Sequence, residues 1–284
     1  MANTLLETPF PLKILRTIAN TTSHITFADT AGSAERVSIL IETGEPVTDA
    51  FFAATCKHGH TEIVRLILDL ELVNPAANNN KALRLASQCG HIEIVRLLLD
   101  LPLDRGVNPA ANDNSAIRWA SYRGHTEVIR VLLALPPERG VDPAADDNEA
   151  LRDASENGHT DIVRLFLELP LERGVNPASL NNHALLYASY LGRIESVRLL
   201  LELPLDRGVD PAVNDSYTLR IASKRGHTEI VRLLLELPLE RGVDPAARNN
   251  EALRIASDNG HTYIVRLLLD AGKQRRSFQK RHSR

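Results

Sequence analysis

Two apolar stretches with helical spacing alternate along this chain. In EALRIAS, residues 251–257, Leu253 and Ala256 lie three apart, and in residues 261–269 Ile264, Val265, Leu267 and Leu268 fall on one side of a helix. The pattern predicts two short antiparallel helices of about 8 and 10 residues, turning at a Gly-His step. The same unit returns down most of the chain. Its pivot glycines, Gly59, Gly90, Gly124, Gly158, Gly192, Gly226 and Gly260, are spaced by 31 residues once and then by 34 five times. A fixed period of this length means stacked units, none of which buries its apolar side alone. The expected class is all-α, a solenoid of antiparallel helix pairs rather than a globule with one central core.

Polar residues, glycine and proline punctuate each unit. Glycine at the pivot supplies the left-handed residue that commonly ends a helix. Asn148 and Asn182, just before a first helix, are expected to offer N-cap oxygens to its orphan amides. The second helix runs into Leu-Pro at Pro102, Pro136, Pro170, Pro204 and Pro238. The LPLER segment is expected to lengthen that helix by one turn, with proline first and Gly106, Gly140, Gly174, Gly208 or Gly242 as the stop. The following V-D/N-P-A-A and its Asn or Asp residues have the composition of a loop. The pairs Glu93/Arg96, Glu127/Arg130, Asp161/Arg164, Glu195/Arg198 and Glu229/Arg232 mark a solvated outer face, each pair stabilising its helix by about 0.2–0.5 kcal/mol.

Composition adds few constraints. At 43% hydrophobic the chain can fill a continuous apolar spine. It has no run of 18 apolar residues, and MANTLLETPFPLKILRTIAN lacks the pattern of a signal peptide, so neither membrane insertion nor classical secretion is expected. Cys56 and Cys89, its two cysteines, occupy different places in their repeats and read as free thiols in a reducing compartment. Charge is uneven: Lys273, Arg275, Arg276, Lys280, Arg281 and Arg284 lie in a terminal stretch without acid, which leaves the body net acidic.

The core A-L-x-x-A-S-x-x-G-H-x-E-x-V-R-L-L-L, clearest at 82–99, 150–167 and 252–269, together with G-V-D/N-P, resembles the ankyrin repeat. The resemblance covers about residues 48–270, and a weaker copy (Ile25, Ala28, Gly32 and 35–44) extends it. It divides the chain into an N-terminal helix and degenerate capping repeat (1–47), an array of about seven repeats (48–270) and a basic, disordered tail (271–284). The family's T-P-L-H start is replaced by EALR at 149–152 and SAIR at 115–118, and the hairpin tip is about three residues shorter, which implies stubby loops. Such divergent repeats are similar to arrays common in amoebae, their giant viruses and intracellular bacteria. The resemblance implies a non-catalytic scaffold that binds another protein through the concave surface of loop tips and first helices. No cofactor, metal or small-molecule substrate is implied, and the chain is expected to be a monomer in the cytoplasm.

Function should reside where the repeat stops being uniform. Five residues before the pivot glycine stand Leu85, Trp119, Asp153, Tyr187, Ile221 and Ile255; two before it stand Lys57, Gln88, Tyr122, Glu156, Tyr190, Lys224 and Asp258. Trp119, Tyr122, Asp153, Glu156, Tyr187, Tyr190, Tyr217, Lys224 and Arg225 therefore form the expected partner-binding strip, since Trp, Tyr and Arg are enriched at interface hot spots. The competing reading places Trp119 and Tyr187 in a half-buried slot filled elsewhere by Leu85, Ile221 and Ile255. His60, His91, His125, His159, His227 and His261 recur once per unit, with Arg193 in the remaining place, too far apart to share one ion; a structural turn role is expected. The alternative function is delivery of a bound partner, to the nucleus through the basic tail or to a ubiquitin ligase through residues 1–20, which faintly resemble the opening of an F-box helix. Nucleic acid is expected to meet only the tail, without sequence preference.

Overall fold

The structure, a computed structural model, describes residues 47–282, with side chains as far as Arg275. The expected N-terminal cap and the weaker repeat copy lie outside the described residues, as do the side chains of Arg276, Lys280, Arg281 and Arg284. The described chain falls into two compact units whose boundary is at Val141/Asp142. The first contains α1 (Asp49–Lys57), α2 (Thr61–Asp69), α3 (Ala77–Cys89), α4 (Ile92–Leu99), α5 (Ala111–Arg123) and α6 (Thr126–Leu133). The second contains α7 (Ala145–Asn157), α8 (Thr160–Leu167), α9 (Ser179–Tyr190), α10 (Ile194–Leu201), α11 (Val213–Arg225), α12 (Thr228–Glu236), α13 (Ala247–Asp258) and α14 (Thr262–His282). No strand occurs among the described residues, so the fold is all-α.

Within each unit the odd-numbered helices form one layer and the even-numbered helices the other. In the first unit α1 packs on α3 and α3 on α5, while α2, α4 and α6 pack in the same order behind them. In the second, α7, α9, α11 and α13 stack in sequence, backed by α8, α10, α12 and α14. Small residues permit the close approach: Ala82 and Ala86, Ala150 and Ala154, and Ala184 and Ala188 are all buried between first helices. The second helices contribute the bulk, with Ile94, Val95 and Leu98, or Ile162, Val163 and Phe166, fully enclosed. Each such side chain stabilises the stack by about 1.5–3 kcal/mol.

The Leu-Pro step gives the expected further turn with its glycine stop, but as a separate element. The second helix is not lengthened: α4 ends at Leu99, and a separate 3-10 turn, Leu103–Arg105, follows Pro102 and stops at Gly106, whose φ is +72°. The residue before a proline is pushed out of the helical region, and Leu237, at φ −60° and ψ 146°, shows that break ahead of Pro238. The last copy has no proline after its leucines, so α14 continues to His282 through residues such as Ala271, Lys273, Gln274 and Arg275 that favour helix. The stretch set apart by its charge as a disordered tail thus begins inside a helix.

The Asn- and Asp-rich step is a left-handed turn rather than an N-cap. Asn78–Asn80, Asn112–Asn114, Asp146–Asn148 and the equivalent residues of later copies all have positive φ, between +49° and +63°. L-residues pay about 1–2 kcal/mol each in that region, and Asn and Asp, whose short polar side chains bond locally, tolerate it better than most. Arginine holds the exposed carbonyls: Arg84 donates to those of Asn78 and Asn79, and Arg152 to those of Asp146 and Asp147. The Asn148 and Asn182 side chains do not cap their own helices. Their oxygens accept from the amides of Asn176 and Asp210, each in the next copy, at 2.7 and 2.8 Å.

The turn histidines join copies in the same way. His91, His125, His227 and His261 place Nε2 2.9–3.1 Å from the carbonyls of Lys57, Gln88, Tyr190 and Lys224. A carbonyl can only accept, so Nε2 carries the hydrogen. Arg193, the exception in sequence, donates from Nε to the carbonyl of Glu156 at 3.0 Å and so replaces the imidazole. The pivot glycine must leave room for this ring. At Gly226 (φ +77°) an added Cβ would lie 2.7 Å from His261, whereas at Gly260 (φ +74°) it would meet nothing within 4 Å.

Gly260→Ala is therefore expected to cost about 1–2 kcal/mol from backbone strain alone. Gly226→Ala should cost about 1 kcal/mol more, because the His261 bond is displaced as well. Urea denaturation of the two variants measures the difference; equal shifts would mean that the ring moves aside freely.

Candidate functional site

First helices bury the side that carries their paired small residues and turn the opposite side outward. On α5, Ala116, Ile117 and Ala120 are enclosed, while Trp119 and Tyr122 project. Their rings meet edge to face with centroids 5.8 Å apart, and the Arg123 guanidinium lies 5.7 Å from the Tyr122 centroid. Edge-to-face geometry sets the electropositive rim of one ring against the other's face, so each ring holds its neighbour in place while both stay open to solvent.

The second unit has a more built site. On α9, His183 stacks on Tyr187 at 4.1 Å, and Tyr187 lies 6.3 Å from Tyr190. From α11, Arg225 places its guanidinium 3.8 Å from the Tyr190 centroid, close enough for a cation–π interaction. Arg220 lies 5.1 Å from the Tyr217 centroid. Leu186, Tyr187, Tyr190, Tyr217 and Ile221 line an open cavity of about 320 Å³. Beside α9, helix α7 carries Asp153 and Glu156, both half-buried.

Exposure varies among the occupants of the aromatic slots. Trp119 and Tyr187 are 44% and 38% exposed, while in the same slot Leu85 and Ile255 are half-buried and Ile221 is 9% exposed. Tyr122 and Tyr217 are exposed as well, and Tyr190 is half-buried beneath Arg225. Trp119 and Tyr122 belong to the first unit, and the other seven strip residues to the second. In the terminal stretch Lys273 pairs with Asp270 at 3.2 Å, and Arg275 lines a cavity with Asp244 and Leu269.

Two members of the site did not stand out in the sequence. Arg220 bonds the carbonyls of Asn214 and Asp215 and pairs with Glu251 at 3.1 Å, which fixes it beside Tyr217. Leu186 occupies the place that Arg84, Arg118, Arg152, Arg220 and Arg254 hold in other copies. Its signal was available as HALL against EALR. Leucine there adds an apolar side chain to the cavity lining.

Titration is perturbed in this region. Burial, followed by the nearby Arg152 charge, lowers the His183 pKa, and its buried Nδ1 has no hydrogen-bond partner among the described residues. Burial lowers His227 too, helped by Arg225 and His261. Elsewhere burial pushes the Cys56 thiol up to about 12, which keeps it in the unreactive form at neutral pH. Among the described residues no His, Cys, Asp and Glu group is placed to hold a metal ion, and no helix is long and apolar enough to cross a membrane.

A family comparison agrees with this architecture. A family model for ankyrin repeats in three copies matches residues 24–113, 117–215 and 185–277. Among solved structures, the chain is similar to an ankyrin repeat family protein from Legionella pneumophila, with 22% identity over 81% of this chain and 74% of that one and a TM-score of 0.39. No curated protein matches.

The lowered histidines set a direction for pH dependence. Unfolded, each imidazole titrates near 6.5, and folded it titrates lower, so below about 6.5 the unfolded chain takes up protons first. Stability is full above that pH and falls as pH drops toward the folded values. His183→Gln is expected to reduce the loss between about pH 7.5 and pH 5.5, read as urea midpoints; an unchanged slope would remove His183 as a contributor.

Proposed function

The chain belongs to the ankyrin-repeat family, whose repeats are generally protein–protein interaction modules on a typically non-catalytic fold, and we propose that it is a binding scaffold without catalytic activity. It holds a partner protein against the concave face carried by its first helices. Trp119, Tyr122, Asp153, Glu156, Tyr187, Tyr190, Tyr217, Lys224 and Arg225 make the contacts. The supporting observation is the cavity between α9 and α11, where three tyrosines, a leucine and an isoleucine converge while the neighbouring frame stays uniform.

The chemistry of the strip favours protein over other ligands. Exposed tyrosine and tryptophan bring large contact areas with few rotatable bonds, and side chains already held by stacking lose little freedom on binding. The carboxylates of Asp153 and Glu156 disfavour a polyphosphate backbone along the same face. The terminal basic stretch offers nucleic acid only nonspecific, salt-sensitive contact. The partner is another protein, bound by a single copy of the chain.

Two double variants test this, Trp119→Ala with Tyr122→Ala and Tyr187→Ala with Tyr190→Ala, each first confirmed to keep wild-type helicity by circular dichroism. With the partner captured and identified by the wild-type protein, each pair is expected to weaken its binding at least about tenfold in titration. Wild-type affinity in both variants would overturn the reading.

A further inference from the structure

We infer that the segment seated on the second unit is an extended stretch of partner chain with an apolar anchor, a basic residue on one side of it and an acidic residue on the other. This rests on the scaffold reading above and specifies what the scaffold selects.

The anchor follows from the cavity walls. Leu186, Tyr187, Tyr190, Tyr217 and Ile221 line about 320 Å³ of open space, mainly with carbon and ring faces, which suits one aliphatic or aromatic side chain.

The flanks follow from helix order. Helix α9 lies between α7 and α11, so the acidic pair Asp153 and Glu156 and the basic pair Lys224 and Arg225 stand on opposite sides of Tyr187 and Tyr190. Lys224 and Arg225 are exposed and make no ion pair among the described residues, whereas the next cations along the face are engaged: Arg220 with Glu251 at 3.1 Å, and Arg254 with Asp258 at 3.7 Å. Arg225 is also fixed at the cavity rim by its position over Tyr190. A partner segment crossing the helices meets negative charge, then an apolar hole, then positive charge.

Spacing turns this into a length. Helices packed at about 8–10 Å put α7 and α11 about 16–20 Å apart. Extended chain covers about 3.3–3.6 Å per residue, so the two charges of the segment are separated by about five or six residues with the anchor between them. Complementary charge of this kind selects among partners more than it adds affinity.

The test uses the full chain and capped peptides with a central leucine and Gly/Ser spacers, read by fluorescence anisotropy. One peptide has two lysines at one end and two glutamates at the other, a second has lysines at both ends, a third glutamates at both ends, and a fourth repeats the mixed charges around alanine. The mixed-charge leucine peptide is expected to bind at least about fivefold more tightly than each of the others. Lys224→Glu with Arg225→Glu should transfer the preference to the all-lysine peptide, and Lys224→Gln with Arg225→Gln should reduce it without reversal. Equal binding of all four peptides, binding of none, or a preference that the charge swap fails to move overturns the inference. Capture of the partner protein by the Tyr187→Ala, Tyr190→Ala variant separates the two levels. If capture falls while the peptides show no preference, the scaffold reading stands and this one fails; if the peptides show no preference and neither this variant nor Trp119→Ala with Tyr122→Ala loses capture, both fail.

Discussion

The stack depends on polar groups of one copy being satisfied by side chains of the next. A helix-turn-helix unit of this size leaves carbonyls at its turn and amides in its connecting loop, and a buried unpaired backbone group costs about 1–3 kcal/mol. Here the turn carbonyl of one copy takes the next copy's histidine, as Gln88 takes His125, while the loop amide of the next copy takes an asparagine oxygen, as Asn108 takes Asn80. Arginines of the 3-10 turns add a third tie: Arg139 reaches the carbonyls of Leu99 and Val107, and Arg241 those of Leu201 and Val209. These bonds set the offset between copies, and the alanines and leucines fill the space that the offset defines. The 34-residue period is the sequence image of that offset.

A frame so fully specified leaves few positions free, and those positions carry the aromatic and charged side chains that vary from copy to copy. Along the first helices the small residues and the serine that follows are enclosed in copy after copy, as in Ala150, Ala154 and Ser155. The outward positions are not constrained by stacking, and there the residues change from leucine to tryptophan, aspartate, tyrosine and isoleucine. At Leu186 even a frame residue has changed. The guanidinium that elsewhere closes the left-handed turn is missing, and the tyrosines of α9 and α11 border the opening. The cavity thus arises from one departure in the frame beside several at the surface.

The sequence by itself determined the architecture. Period, helical spacing and punctuation by Gly-His and Leu-Pro suffice because each copy obeys the same local rules, and repetition reinforces a pattern that a single copy would show weakly. The aromatic strip was legible for a related reason: against a uniform background, Trp119 or Tyr187 is visible as an exception. Only the tertiary structure decided how the polar residues are used. Asn148 and Asn182 have the composition of N-caps, yet they adopt positive φ and bond the following copy, since their partners lie 28 residues away and no local window contains them. Proline ends the second helix instead of extending it, because the residue before it leaves the helical region. The cavity, too, is set by neighbours on two helices, Leu186 on α9 and Tyr217 and Ile221 on α11, whose proximity depends on the offset between copies and not on their order along the chain.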